Sequence, residues 1–313
     1  ACDTGKPRSR LCLVPCGAGF IGSSIARALL ARGDRVRVLD NFSSGRRENV
    51  QDLAGVELLE GDILDDTALG AAVRGVSLIF HQAAISSVPL SVADPLSSNE
   101  TNATGTLKVL QAARQAGTRR VVYAASSSAY GDTPTLPKVE TMATAPLSPY
   151  AVAKLAGELY CQAFYKVYGL ETVALRYFNV FGPRQDPRSH YAAVIPRFAT
   201  AALKGQPAVI YGDGEQSRDF CFIEDVVAAN LLAAEVSDAA GRVFNVARGE
   251  AVSINQVLDM LEQIVGHPIA RRHEPARSGD VRHSRADLSA ARDGLNYRPL
   301  VTFAQGMRKT IVR

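Results

Sequence analysis

The stretch VPCGAGFIG, Val14 to Gly22, restricts the fold more than any other part of the chain. It joins a short apolar run to an amphipathic one through a turn rich in glycine. Leu11–Val14 has the length and apolarity of a buried strand, Phe20–Ala31 has the periodicity of a helix, and Arg35–Leu39 reads as a second strand. A strand that enters a helix so tightly and then returns to a strand is the opening unit of a parallel sheet. The rhythm continues: Val56–Leu59, Ser77–His81 and Val121–Ala125 read as strands, and helical patterns cover Thr101–Gln115 and Pro149–Val167. The expected fold class is α/β, a doubly wound parallel sheet with helices on both faces and right-handed crossovers. From about Phe181 the elements shorten and glycine, proline and arginine grow dense, which reads as a smaller α/β lobe interleaved with the first. The expected division is 1–180 for the sheet domain and 181–313 for the lobe.

Composition narrows the function classes. The 313 residues are 47% hydrophobic and 21% charged, ordinary for a globular chain. No apolar run approaches the ~18 residues of a membrane span. Lys6, Arg8 and Arg10 before LCLVPCGAGF imitate a signal peptide, but glycine and proline interrupt the apolar stretch. A net charge of +4 is too small to argue for nucleic acid. The five cysteines, at 2, 12, 16, 161 and 221, are odd in number and scattered, which suggests neither a disulfide framework nor a zinc site. A reducing, cytoplasmic setting is expected. The basic segment Ala270 to Arg285 reads either as a solvated loop or as a site for a phosphorylated small molecule.

The glycine turn suits a dinucleotide. Gly19 lets the backbone approach a pyrophosphate, Gly22 allows close helix–strand packing, and the helix start offers free N–H groups at its positive end. Asp40 closes the second strand, where a carboxylate accepts from an adenine-side ribose and repels a 2′-phosphate. NAD is therefore expected over NADP, with Arg46 and Arg47 weakening the preference slightly. Cys16 stands where such loops usually open with glycine. If that position needs φ > 0, the side chain costs on the order of 1 kcal/mol, and Gly17 can absorb part of the turn.

SPYAVAK, Ser148 to Lys154, carries the chemistry. Ser148 is a natural helix N-cap and Pro149 a natural first residue. Tyr150 and Lys154 then share one face, four residues apart. A neighbouring ammonium and a helix start both favour the phenolate over the phenol, so the pair is a candidate general base. YAASSSAYG, Tyr123 to Gly131, puts Ser126, Ser127 and Ser128 at the carboxyl end of a strand, the edge where parallel sheets hold ligands.

GAGFIG, DNFSSGRREN, GDI (Gly61 to Ile63), HQAA (His81 to Ala84), SSSAYG, SPYAVAK, RYFNVFGPRQ (Arg176 to Gln185) and GDGEQSRDF (Gly212 to Phe220) together resemble the extended short-chain dehydrogenase/reductases, and within them the nucleotide-sugar 4-epimerases. The resemblance spans nearly the whole chain and implies a Rossmann sheet, NAD, a UDP-sugar and a homodimer paired through the helices around Leu107, Leu110, Leu155 and Leu159. It implies that Tyr150 takes the proton of the sugar 4-hydroxyl, that the C4 hydride leaves to NAD and returns to the opposite face, that Ser126 or Ser127 holds the oxygen, and that Lys154 holds the nicotinamide ribose. The implied cofactor shell is Gly17, Gly19, Phe20, Ile21, Asp40, Asn41, Ser43, Gly45, Asp62, Ile63, Gln82, Ala83, Ala84, Asn102 and Tyr177, with Tyr150 and Lys154. The implied substrate shell is Ser86, Ser127, Ser128, Tyr150, Asn179, Arg184, Val194, Tyr211, Arg218, Arg277, Asp280 and Ser284; arginines suit a pyrophosphate by their permanent, forked charge. Ser284 matches a size filter beside the sugar C2 group. Being small, it admits N-acetylated sugars, so UDP-GlcNAc/UDP-GalNAc is expected, with UDP-Glc/UDP-Gal or an N-acetylated uronic acid as further candidates. Two rivals remain. One is a related lyase, a UDP-glucuronate decarboxylase or a nucleotide-sugar dehydratase, the latter wanting an acidic pair where Ser127 and Ser128 stand; the other is a non-catalytic dinucleotide sensor, which would need none of Ser126, Tyr150 and Lys154.

Overall fold

The computed structural model describes residues 9–186, 193–276 and 281–311. Its centre is a parallel sheet built from β1 (Leu11–Pro15), β2 (Arg35–Asp40), β3 (Val56–Glu60), β4 (Leu78–His81), β5 (Arg120–Ser126), β6 (Glu171–Tyr177) and a seventh strand, Val243–Val246. From the far edge the order is Val243–Val246, β6, β5, β4, β1, β2, β3, with every neighbouring pair parallel. The strand order reverses between β1 and β4, which opens a crevice at their carboxyl ends.

Alternation along the strands divides the packing. On β1, Cys12 and Val14 face one layer and Leu11 and Leu13 the other, all buried, as a sheet covered on both faces requires. The first layer holds helix α1 (Phe20–Ala31) and helix Ile223–Glu235; the second holds helices Gly105–Gln115 and Pro149–Tyr168. The periodicity of the sequence places α1 at its observed bounds and the other early elements within a few residues. The helix expected from Thr101 differs: Glu100–Thr104 forms a wider π-type turn before the regular helix Gly105–Gln115.

Beyond residue 180 the chain alternates between two bodies of packing. Helix Val194–Leu203 and strand Ala208–Tyr211 enter a separate core around Phe181, Phe198, Phe220 and Phe222. Helix Ile223–Glu235 then returns to the sheet, and Val243–Val246 pairs with β6. Helix Ile254–Val265 and strand Arg271–Glu274 go back to the lobe, the latter alongside Ala208–Tyr211. A single cut at residue 180 would therefore take one strand and two helices, Ile223–Glu235 and Ser289–Leu295, from the sheet they complete.

Among the described residues no helix is long and apolar enough to cross a membrane, no group of His, Cys, Asp or Glu is disposed to hold a metal ion, and Cys12, Cys16, Cys161 and Cys221 are free thiols.

Candidate active site

A cleft of about 730 Å³ lies over the carboxyl ends of β1, β4, β5 and β6, between the sheet and the lobe. Its near wall is the glycine turn. Cys16 takes a left-handed conformation at φ 60, so a side chain does occupy the position where glycine is expected. The neighbouring glycines explain the sharp turn: a Cβ on Gly17 would meet Val38 at 2.6 Å, and one on Gly22 would meet the Cys16 carbonyl oxygen at 2.2 Å. Gly19 is the N-cap of α1 and supplies no side-chain cap, so the first-turn N–H groups face the cleft without a protein partner at that cap. A backbone cradle with unclaimed amides at a helix start fits the pyrophosphate of a dinucleotide.

Asp40 departs from expectation. Its carboxylate is 3% exposed and turns inward, accepting from Ala18 N–H at 2.9 Å and Phe42 N–H at 2.8 Å. Burial raises its pKa, and those two amides pull the other way. It holds the glycine turn closed in place of presenting both oxygens to a ribose. Asn41 lies outside it, accepting from the Ser43 N–H and hydroxyl and donating to Asp62 at 2.7 Å. A Cβ on Gly45 would strike the Asp40 carboxylate at 2.6 Å.

Helix Pro149–Tyr168 presents the reacting pair. Ser148 caps it, accepting from Ala151 N–H at 3.2 Å, with Pro149 in the first turn. Tyr150 and Lys154 project from it into the cleft beside Ser126, Ser127 and Ser128. The Ser128 hydroxyl donates to Ser126 Oγ at 2.8 Å, and Ser126 lies beside Tyr150 in the cleft lining. Of the three serines, Ser126 is the one that acts on the Tyr150 phenol. Burial raises the Tyr150 phenol above its ordinary value, with Ser126 acting against it. Burial also lowers Lys154 to about 7. In the protein alone, loss of water governs both groups, raising the phenol and lowering the ammonium.

Gln82, Ala84, Ser86, Phe20, Ile21, Ser43, Tyr177, Asn179, Arg184, Arg218 and Ser284 also line the cleft. Arg184, at φ 71, donates to Ser24 at 3.0 Å, and Ser284 N–H donates to the Ser217 carbonyl at 3.1 Å. Besides Asp40, Asn41, Gly45 and Asp62, six expected residues lie outside the cleft lining. The Asn102 side chain, wholly buried, clamps the backbone of Ile85 from both sides, which spends its amide. The Ile63 side chain packs in the core against Gly105, so only its backbone remains for a ligand. Val194 packs on the lobe core and Tyr211 lies beneath Arg197, both away from the cleft lining. Ala83 is buried in the core, and Gly17 sits behind the turn. Arg277 and Asp280 lie outside the described residues.

The structure adds residues that the sequence left unmarked. Asn230, buried in helix Ile223–Glu235, donates to the Tyr177 hydroxyl at 2.7 Å, and Tyr177 also reaches Gln82. His81 is buried, 2.9 Å from Thr106 through Nε2, and burial lowers its pKa to about 3, with Lys154 contributing. No short-range pattern distinguishes these from ordinary core positions.

The family described as the NAD dependent epimerase/dehydratase family matches residues 12–247. A UDP-glucose 4-epimerase of Mycolicibacterium smegmatis is 40% identical over 304 residues, covering 96% of each chain. A UDP-N-acetyl-alpha-D-glucosaminuronate decarboxylase of Bacillus cytotoxicus is 32% identical over 312 residues, again 96% of each. The solved structure of a UDP-N-acetylglucosamine 4-epimerase from Methanobrevibacter ruminantium M1, in complex with UDP-N-acetylmuramic acid, superimposes with a TM-score of 0.93 at 39% identity, covering 98% of each chain. With the parallel sheet, the glycine cradle and the Ser126–Tyr150–Lys154 group in place, this chain belongs to the NAD-dependent epimerase/dehydratase family.

Proposed function

We propose that the chain is an NAD-dependent UDP-sugar 4-epimerase that accepts N-acetylated sugars, UDP-GlcNAc and UDP-GalNAc, alongside UDP-Glc and UDP-Gal. The observation that carries the reading is the junction of Ser126, Tyr150 and Lys154 in one cleft with a backbone pyrophosphate cradle. NAD, when bound, supplies a reversible hydride acceptor at the sugar C4. Tyr150 exchanges the proton of the 4-hydroxyl, Ser126 steadies its oxygen, and Lys154 holds the nicotinamide ribose. Arg184 and Arg218 bring positive charge to the cleft, suited to the substrate diphosphate. Incubation with UDP-GlcNAc and UDP-Glc separately, followed by chromatography, should show C4 inversion of both, and denaturing the purified protein should release NAD. Absence of inversion together with absence of NAD would refute the reading.

The decarboxylase relative gives a second reading a specific footing. The positions after Ser126 are Ser127, Ser128 and Ala129, none of them an acid, which weighs against the elimination of a dehydratase but not against loss of CO₂ from a β-keto acid. Release of CO₂ from an acetylated UDP-uronate would decide for it.

Ser284 supports the acetyl-tolerant preference, since it lines the cleft with a small side chain. Ser284→Tyr should suppress UDP-GlcNAc turnover at least ~10-fold while sparing UDP-Glc. Equal loss on both sugars would remove Ser284 as a filter.

A cytoplasmic homodimer completes the proposal. Leu110 is wholly buried within its own subunit and cannot serve the interface, Leu107 and Leu155 are half-buried, and Leu159 is exposed. Val92, Leu96, Val152 and Val167 are exposed with it on helices that pack together, and these supply an apolar face for a partner.

A further inference from the structure

Tyr123 lies on β5, three residues before Ser126, and its ring is fully buried. The Lys154 ammonium nitrogen stands over that ring, 4.5 Å from its centre. The Tyr123 hydroxyl donates to the carbonyl oxygen of the same lysine at 3.1 Å. Charge and backbone of one helix residue thus rest on a single aromatic side chain. The approach depends on Gly157: a Cβ there would lie 2.3 Å from the Tyr123 hydroxyl oxygen and 3.2 Å from Thr106.

The surroundings leave the ring as the main attraction for the ammonium. His81 faces it from β4 and is neutral at physiological pH. Cys16 faces it from the glycine turn and Cys161 from its own helix, and burial pushes the thiols of both upward, so both stay uncharged. Tyr150 precedes it by one helical turn. Among the described residues no carboxylate forms an ion pair with Lys154. A cation held over an aromatic face is stabilised most where water is excluded.

We propose that Tyr123 is the positioning residue of Lys154, its ring seating the ammonium at the floor of the cleft and its hydroxyl setting the helix turn above the sheet. The use of that charge rests on the epimerase reading; the placement does not.

The test replaces Tyr123 by phenylalanine and then by phenylalanines of increasing fluorination, which keep the ring shape and drain negative charge from its face. The titration of Lys154 is read by NMR of ε-13C lysine in the cofactor-loaded protein, and the pH profile of kcat is recorded in parallel. Lys154 should titrate at progressively lower pH, by roughly one unit across the series, and the alkaline limb of kcat should move with it. Tyr123→Phe keeps the ring, so it should leave the titration close to that of the parent while lowering kcat a few-fold at unchanged KM. A Lys154 titration that stays constant through the fluorinated series overturns the proposal. A titration that shifts in a protein without UDP-sugar turnover upholds the placement and rejects the epimerase reading alone.

Discussion

Tyr150→Phe should lower sugar interconversion by on the order of 10²–10⁴-fold, the range lost when a positioned proton acceptor is removed. The change deletes one oxygen and keeps the ring, so the helix and the cleft wall persist. Ser126 still accepts from Ser128. NAD content and melting temperature should therefore match the parent, and substrate binding, read as displacement of a fluorescent nucleotide, should change little. The pH profile adds a second reading. Burial holds the Tyr150 phenol above its ordinary value while Lys154 sits near 7. A base of this kind is mostly protonated at neutral pH, so the parent rate should climb with pH until Lys154 loses its proton. The residual rate of the phenylalanine variant should lack that climb. Full-speed turnover by Tyr150→Phe would end the proposed role.

The second large effect is on stability. Glu158 follows Lys154 by one helical turn and lies on the same face, directed at β6. Its carboxylate receives Arg176 at 2.9 and 2.7 Å, the two side chains being 2% and 4% exposed. The Arg176 guanidinium also stacks over Tyr130 at 4.6 Å, and Tyr130 donates to Asn245 at 2.7 Å. The pair ties the catalytic helix to β6 and to the segment that follows the serine turn. Glu158→Ala leaves a buried guanidinium without its counter-charge, which should cost about 3–5 kcal/mol. That corresponds to a fall in melting temperature on the order of 10 °C. Glu158→Gln preserves the shape and should lose less. Thermal melting of the three proteins checks this, and an alanine variant as stable as the parent would show that the pair contributes nothing net. Because Glu158 and Lys154 share one helix face, loosening the anchor should also lower kcat more than KM rises.

The chemistry-bearing residues were legible because their spacing is local. Ser148, Pro149, Tyr150 and Lys154 fall within seven residues, and cap, first turn and common face follow from helix geometry alone. The same holds for VPCGAGFIG, where strand, turn and helix are consecutive. Asp40 shows where such reading stops. The sequence places a carboxylate at the end of β2, but its direction depends on amides of Ala18 and Phe42, one of them 22 residues away. Asn102 and Val194 meet the same limit: each was assigned by correspondence along the chain, while its partners come from Ile85 and from the lobe core.

By itself the amino-acid sequence determined the α/β class, the strands as far as β5, the dinucleotide turn and the Tyr150–Lys154 pair, because periodicity, capping and turn chemistry act over a few residues. Only the tertiary structure decided that Val243–Val246 completes the sheet, that Ser126 and Tyr150 meet in one cleft, that Asp40 faces inward, and that the Lys154 ammonium stands over the Tyr123 ring. Each of those depends on which distant segments exclude water from one another, and burial of that kind is a property of the packed chain and not of any stretch within it.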